Sequence, residues 1–337
     1  MAAQVVIVVL NWNGSEDTLA CLVSLQRLNK DGTRVVVVDN GSTDGSVHAI
    51  RQAFPDVTLI ENGSNLGYAE GNNVGIRYAL EQGADFILVL NNDTTCAPDL
   101  IDRLLDAAAR HPRAGMFCPR MFYMSEPERV WFDAARWNSA GLRFDFPGQD
   151  QPATALNGAE HETDFACGAA LFVRAEVARQ VGLFEPSFFL VWEEVDWCYR
   201  ARKAGWASLV VPQARIWHRV GASFGSESSP LRTYFSLRNR LLWLRRHGTV
   251  GERLRAAMRA IGSAIPPWAF TSDAVASALQ RVAWAINAWL AAMMGRGNAL
   301  QYLAKRQAVL DYLFGRLGPA PTCIVDLNRR WLQRQAR

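Results

Sequence analysis

The chain has 337 residues, half of them hydrophobic, with 36 Lys and Arg against 32 Asp and Glu and a formal net charge of +4. A chain this long and this apolar can bury a large core, which excludes a disordered protein and suggests one large domain plus an appendage. Its six cysteines, at 21, 96, 118, 167, 198 and 323, form neither a CxxC pair nor a Cys/His ligand spacing, which argues against a disulfide framework or a zinc site and suits a reducing compartment.

The first segment, "MAAQVVIVVLNWNG", has no basic n-region and no small-residue cleavage site, so it reads as a first strand and not as a signal peptide. "QVVIVVL" (4–10), "RVVVVD" (34–39) and "DFILVL" (85–90) are apolar without alternation, as strands covered on both faces of a parallel sheet are. Helix-like stretches separate them: "SEDTLACLVSLQRL", "DGSVHAIRQAF" with Asp44 as its expected N-cap, and "GNNVGIRYALEQG". Strand and helix alternate, so the first half is α/β. After about residue 113 the pattern turns irregular and aromatic, which predicts a loop-rich, partly antiparallel segment over the sheet. Regular structure is expected again from "CGAALFVRAEVARQVGLF" (167–184), then the helix "EEVDWCYRARKAG" and the strand "ASLVVP".

From about 228 the chain reads as helical, broken by Pro266 and Pro267. Its longest apolar stretch, "VAWAINAWLAAMM" (282–294), is shorter than the ~20 residues that cross a bilayer, so no transmembrane helix is expected. Between 230 and 260 stand eight arginines, 232, 238, 240, 245, 246, 253, 255 and 259, against the single acid Glu252. That imbalance suits phosphate or lipid headgroups, or else a solvated helix face. The expected division is 1–227, with halves near 1–112 and 113–227, and a helical region 228–337.

Several clusters bear on chemistry. "LVLNNDTT" ends an apolar run with Asn91, Asn92 and Asp93; such a cluster is either a surface turn or a set of ligands in the crevice beyond the strand ends. Asp39, closing the second strand in "VVDNGSTDGS", suits base or ribose recognition, and Trp12 in "NWNG" is either a stacking aromatic or a core-edge residue. "NLGYAEGNN" resembles a phosphate loop but has neither GxGxxG nor Walker spacing, which argues against a dinucleotide dehydrogenase and a P-loop kinase. Asn72 and Asn73 within it either contact a nucleotide or fix the turn. In "FFLVWEEVDWCYRARKAGW", a helix starting near Glu193 places Glu193, Asp196, Trp197 and Arg200 on one face and Glu194 on another. Acids in a first turn also favour the helix dipole, but Phe188, Phe189, Trp192 and Trp197 suit an apolar sugar face. His218 in "IWHRVGASFG" is either a structural histidine or, with Asp93 nearby, a ligand to a divalent ion.

In this order the motifs "NWNG", "VVDNGSTDGS", "NLGYAEGNN", "LNNDT", "CGAALFVR", "WEEVDWCYRARKAGW" and "HRVGASFG" make the chain, from about residue 4 to 247, resemble the family 2 glycosyltransferases of the GT-A fold, within them the bacterial rhamnosyltransferase-like group. The resemblance implies a mixed, mainly parallel Rossmann-like sheet with helices on both faces, followed by a C-terminal helical extension. It implies an inverting transfer, with L-rhamnose from dTDP-rhamnose the expected donor and a UDP-sugar of galactose, N-acetylglucosamine or galactofuranose the alternative. A glycan or lipid-linked saccharide is the implied acceptor, at the cytoplasmic face, with no nucleic-acid partner. From another class, a non-catalytic nucleotide- or glycan-binding module is the competing reading.

The expected donor side is Asn11, Trp12, Asp39, Gly67, Asn72, Asn92 and Asp93, of which the resemblance carries over Trp12, Asp39 and Asp93, and the expected acceptor side is Trp192 and Trp197. Asp93 matches the metal-binding acid of the family's DxD motif, Asn91 replaces that motif's first acid, and His218 matches a third metal-side position for Mg²⁺ or Mn²⁺. Glu194 matches the catalytic base, with Glu193 and Asp196 as alternatives. The helical region, through "LRTYFSLRNRLLWLRRH" and "VASALQRVAWAINAWLAAMM", is expected to lie on the membrane surface or else to pack as a cap or homodimer interface.

Overall fold

The computed structural model describes residues 3–28, 32–221, 229–264 and 297–335. The expected helix break at Pro266 and Pro267 and the apolar stretch 282–294 lie outside these residues. The chain divides into two compact units, Met1–Val220 and Gly221–Arg337.

In the first unit β1 (Val5–Asn11), α1 (Ser15–Leu25), β2 (Thr33–Asp39), α2 (Ser46–Ala53), β3 (Thr58–Glu61), α3 (Gly67–Glu81) and β4 (Phe86–Asn91) alternate as expected. β3, β2, β1 and β4 lie side by side, all parallel. Val5–Val9, Val36–Val38 and Ile87–Leu90 are buried, which is why these strands need unbroken aliphatic runs. Then follow β5 (Thr94–Cys96), α4 (Leu100–Arg110), β6 (Ala114–Tyr123), β7 (Val130–Phe132), the hairpin β8 (Arg136–Asn138) and β9 (Arg143–Asp145), β10 (His161–Glu162), β11 (Ala170–Arg174), α5 (Ala175–Val181), α6 (Glu193–Lys203) and β12 (Ala207–His218). β11 runs antiparallel between β4 and β6, and β12 pairs parallel with β6, so the sheet is mixed but mainly parallel.

Three expectations are corrected. The stretch after residue 113 opens with a ten-residue buried strand, β6, and not with loop. Pro119 and Arg120 hide it in the sequence. Pro119 has no N–H to donate, and it stands where β12 bulges between Val211 and Arg215, so the missing bond falls at a break in the ladder. Arg120 is buried because its Nε donates to Asp133 Oδ1 at 2.6 Å. "NLGYAEGNN" is also not a loop: α3 begins at Gly67. The cap position of α2 is Gly45, in the left-handed region, while Asp44 Oδ1 accepts from Ser46 N at 3.0 Å.

The five buried cysteines, 21, 96, 118, 167 and 198, are free thiols within this unit, and Cys323 is exposed in the second. The second unit contains α7 (Pro230–His247), α8 (Val250–Ala264), α9 (Gly297–Leu313) and α10 (Thr322–Gln335). No helix among the described residues is long and apolar enough to cross a membrane.

Gly67 fixes how α3 enters the unit. Its φ is +80°, and a Cβ there would stand 2.5 Å from the Phe189 ring and 2.6 Å from Phe189 O, the carbonyl that accepts from Tyr68 N and Ala69 N. Gly67→Ala should therefore destabilise the protein by about 1–3 kcal/mol. Thermal melting checks this, and a variant that melts with the wild type would show that the contact yields without strain.

Candidate functional site

Parallel strands in register bring their carboxyl ends to one line, and here Asn11, Asp39 and Asn91 end three neighbours: Asn11 is opposite Asp39, and Leu10 is opposite Asn91. The crevice beyond such ends is where open α/β sheets bind ligands.

Asp39 is 2% exposed and its carboxylate is fixed from three directions. Oδ1 accepts from Asn11 Nδ2 at 2.7 Å, and Oδ2 accepts from the amides of Gly41 (3.1 Å) and Ser42 (2.9 Å). Asn11 in turn accepts from Thr18 Oγ1, which accepts from Asn92 Nδ2 at 2.8 Å. Asn11 and Asn92, expected to face a donor, are thus links in a chain of side chains that braces the crevice wall. Trp12 projects from the same loop, half its surface open to solvent. Asn40, which sequence reasoning did not single out, ties the end of β2 to the start of α3 by donating to Asn65 Oδ1 and Gly67 O and accepting from Leu66 N. Asn72 is fully buried, with Nδ2 on Tyr68 O, and Asn73 holds the backbone of Phe184 in both directions. Gly67 and these amides position α3, and the side chains of Asn72 and Asn73 are not turned toward solvent.

Asp93 and His218 are brought together although they lie far apart in sequence. β5 pairs with the end of β12, Thr94 opposite His218, and Arg219 N donates to Asp93 O at 2.9 Å. Both side chains are buried, and Trp131 packs on the imidazole with ring centroids 4.5 Å apart. Asp93 Oδ1 and His218 Nε2 lie 3.1 Å apart, yet Asp93 Oδ1 accepts no hydrogen bond. No group of three or more His, Cys, Asp or Glu among the described residues is arranged to hold a metal ion. The pair nevertheless fits two neighbouring positions on one, because octahedral ligands at about 2.1 Å from an ion stand about 3.0 Å from each other. The buried Oδ1 of Asn91, also without a hydrogen bond, adds a neutral oxygen at the end of the adjoining strand.

An ion pair stands beside this pair that the sequence did not suggest. Arg219 Nη1 lies 3.0 Å from Asp17 Oδ1. Burial raises the Asp17 carboxyl, the Arg219 charge opposes this, and the Asp93 charge adds to it, so the two acids feel each other. The only local signals were an acid in the first turn of α1 and a base following His218.

The second acidic cluster starts α6. Phe189, Val191 and Trp192 have φ of 63°, 69° and 81°, a run that side-chain-bearing residues rarely adopt. This bend delivers Glu193 and Glu194 to the helix N-terminus, where the dipole favours negative charge. Glu193 is buried, and desolvation, reinforced by the neighbouring Glu194, holds its carboxyl well above the ordinary range. Glu194 is half-buried against Gly168, whose would-be Cβ lies 3.7 Å from it. Asp196 is engaged elsewhere: it pairs with Arg200 Nε at 2.7 Å, and Arg200 also donates to the carbonyls of Val181 and Leu183.

Of the two tryptophans expected to face an acceptor, Trp197 is corrected to the core. It is fully buried, donates from Nε1 to Gly182 O at 2.7 Å and packs on Phe184. Trp192 is half-buried and meets Trp137 and Phe144 of the β8–β9 hairpin at 6.3 and 5.7 Å between centroids.

The two clusters share one connecting loop. Asn91 N donates to Ala169 O, Gly168 O accepts from Tyr68 Oη at 2.8 Å, and Gly168 abuts Glu194. Tyr68 is half-buried; desolvation raises its phenol and the charges of Glu193, Glu194 and Asp93 all push it further up, so it stands within electrostatic reach of both acidic sites.

With this geometry in hand, comparison with known proteins gives a consistent result. Residues 5–179 match the family model "Glycosyl transferase family 2". An N-acetylglucosaminyl-diphospho-decaprenol L-rhamnosyltransferase of Mycobacterium tuberculosis is 33% identical over 226 residues, covering 61% of this chain and 73% of the relative. The dTDP-rhamnosyl transferase RfbF of Shigella flexneri is 24% identical over 258 residues, covering 73% and 82%. Among solved structures, the mannosyltransferase PcManGT of Pyrobaculum calidifontis, in complex with GDP-Man and Mn²⁺, superposes with a TM-score of 0.55 at 16% identity, covering 94% of this chain and 88% of the other.

The buried Glu193 has a consequence for stability. Its carboxyl is raised in the folded state above its ordinary 4.5, so between the two values the folded protein binds more protons than the unfolded chain. The corresponding stability is present below the ordinary value and lost as pH rises through the window above it. Glu193→Gln, neutral at every pH, should flatten the fall in melting temperature from mildly acidic to neutral pH. An unchanged slope would place the ionising group elsewhere.

Proposed function

The chain belongs to glycosyl transferase family 2, and from that premise we propose that it moves L-rhamnose from dTDP-rhamnose, with inversion, to a glycan or lipid-linked saccharide of the cell surface. The observation that most supports this reading is the pair of acidic sites, Asp93 with His218 and Glu193 with Glu194, joined through the 167–169 loop and Tyr68. The rhamnose donor rests on the relatives from M. tuberculosis and S. flexneri, named for rhamnosyl transfer.

In this proposal residues 1–112 hold the donor and residues 113–227 the acceptor, with 228–337 as a separate helical region. Asp39, braced by Asn11 and the turn amides, accepts a hydrogen bond from the pyrimidine, and the exposed Trp12 stacks near it. Asp93 and His218 would hold the divalent cation, Mg²⁺ or Mn²⁺, whose charge, when bound, offsets that of the departing diphosphate. Glu194 takes the proton from the acceptor hydroxyl. That oxygen forms a bond to the anomeric carbon from the face opposite the diphosphate, and the old C–O bond breaks with its electron pair left on the diphosphate oxygen. Trp192, with Trp137 and Phe144, lines the acceptor side.

The buried Glu193 separates the duties of the two acids. Burial and the charge of Glu194 both disfavour its ionisation, whereas Glu194 beside it is only half-buried. Asp196 is committed to Arg200 and is a weaker candidate for the base.

The donor is tested by thermal shift and hydrolysis. The protein should be stabilised more by dTDP than by UDP or GDP, since a ligand that binds only the folded state raises its stability. It should hydrolyse dTDP-rhamnose slowly in Mn²⁺ or Mg²⁺, and the rate should collapse in excess chelator and in Asp93→Ala. A preference for GDP counts against Asp39 as a pyrimidine reader. Full activity in chelator counts against the ion.

The base is tested by kinetics. Glu194→Gln should leave donor affinity within a few fold and reduce turnover by roughly 10²-fold or more. A larger loss in Asp196→Asn would transfer the role.

A further inference from the structure

The charge of the chain is divided between its units. Residues 221–337 carry 17 Lys and Arg against five Asp and Glu, a net +12, while residues 1–220 carry 19 against 27, a net −8. Within the second unit, two of the acids do little to offset this at the surface. Glu252 is buried and accepts from Thr249 N at 2.8 Å, and Asp311 is buried beneath Tyr234 Oη (2.7 Å) and Gln307 Nε2 (2.9 Å), with the exposed Arg316 Nη1 a longer 3.9 Å from its Oδ1.

The same unit carries the most exposed large apolar side chains among the described residues. Val250, Leu254 and Met258 on α8, with Leu313 and Phe314 at the end of α9, are each between 61% and 72% exposed. The three on α8 are spaced four apart, so they form one row along a single helix face. Two contacts place the helix ends together. Arg245, in the last turn of α7, lies over the Tyr312 ring at 5.6 Å, and Arg253, in the first turns of α8, donates to Leu244 O of α7. Val250 therefore starts α8 near where Leu313 and Phe314 finish α9, and the exposed Arg245, Arg253 and Arg316 stand around them.

α7, expected from sequence to be an interfacial helix, gives this surface Arg245 from its last turn but none of its apolar residues. Its Tyr234, Phe235, Leu241, Leu242, Trp243 and Leu244 are buried, as is Arg238, sandwiched against Tyr234 and Phe235 at 5.3 and 4.9 Å.

We propose that the Val250–Leu254–Met258 row, with Leu313 and Phe314 and the arginines 245, 253 and 316, is a docking surface for an anionic lipid bilayer. An apolar row rimmed by cations inserts shallowly among acyl chains while the guanidinium groups meet headgroup phosphates. A second copy of the chain fits poorly. A two-fold contact sets the same patch against itself, arginine facing arginine, in a unit that already carries +12. The proposal is independent of the catalytic roles above, which belong to residues of the first unit.

The test is flotation of the full-length protein with phosphatidylcholine vesicles, with and without phosphatidylglycerol, at low and high salt. The protein should float only with the anionic vesicles and be released by salt. Leu254→Asp/Met258→Asp and, separately, Arg245→Glu/Arg316→Glu should each weaken binding on the order of tenfold or more while keeping helix content by circular dichroism and donor hydrolysis in solution. The charge-reversal pair, which leaves the apolar row intact, serves as a second arm if the first pair perturbs folding. Wild-type protein that ignores anionic vesicles at low salt, or variants that bind as it does, overturn the proposal. So does a dimer, measured by light scattering, that dissociates in Leu254→Asp/Met258→Asp.

Discussion

Asn11 Nδ2 donates to Asp39 Oδ1 where the first two strands end, and much of the crevice is referenced to that bond. Both residues are almost wholly shielded from water, so a carboxylate this deep requires donors, and it finds them in one neighbouring strand and in the turn that follows it. Satisfying Asp39 therefore fixes two loops. Asn13 Oδ1 accepts from Thr43 N, and Asn40 reaches on to the entry of α3. Breaking the pair would leave a buried carboxylate short of a donor, a loss of about 1–3 kcal/mol in such settings. It would also loosen the base from which Trp12 projects.

The α6 end of the site is fixed in a different way. Three residues in the left-handed region stand before Glu193, and such strain persists only where surrounding contacts over-determine it. The contacts are visible: Phe189 O accepts from two amides at the start of α3, and Gly67 allows the close approach. The start of α3 thus braces both ends of the crevice, the Asp39 end through Asn40 and the Glu193 end through Phe189. This economy of parts explains why α3 starts several residues earlier than its apolar pattern suggests.

The legible parts of the fold were those governed by burial on both faces. β1, β2 and β4 declare themselves as aliphatic runs, and Asp39 and Asp93 stand out because polar residues at such strand ends are conspicuous. β6 was not legible, because a proline at a bulge and a buried arginine break its apolar pattern, and both are justified only by partners distant in sequence. The same limit applied to single residues. Trp197 and Glu194 sit in one helix, three positions apart, yet only tertiary packing decides that the first belongs to the core and the second adjoins the loop shared with Asp93. The Asp17–Arg219 pair needed the closure of β12 against β5 before it could exist.

The burial of the cysteines reaches beyond packing. A thiol reacts as its thiolate, and desolvation raises Cys96 and Cys198 to about 12 and pushes Cys21 and Cys118 well above the ordinary value, while Cys167 is shielded in the same core. Cys323 alone stands in solvent, in the first turn of α10. Toward a maleimide reagent a native chain with six cysteines thus behaves as though it had one, which gives the helical unit a ready position for a fluorophore or spin label without removing any other residue.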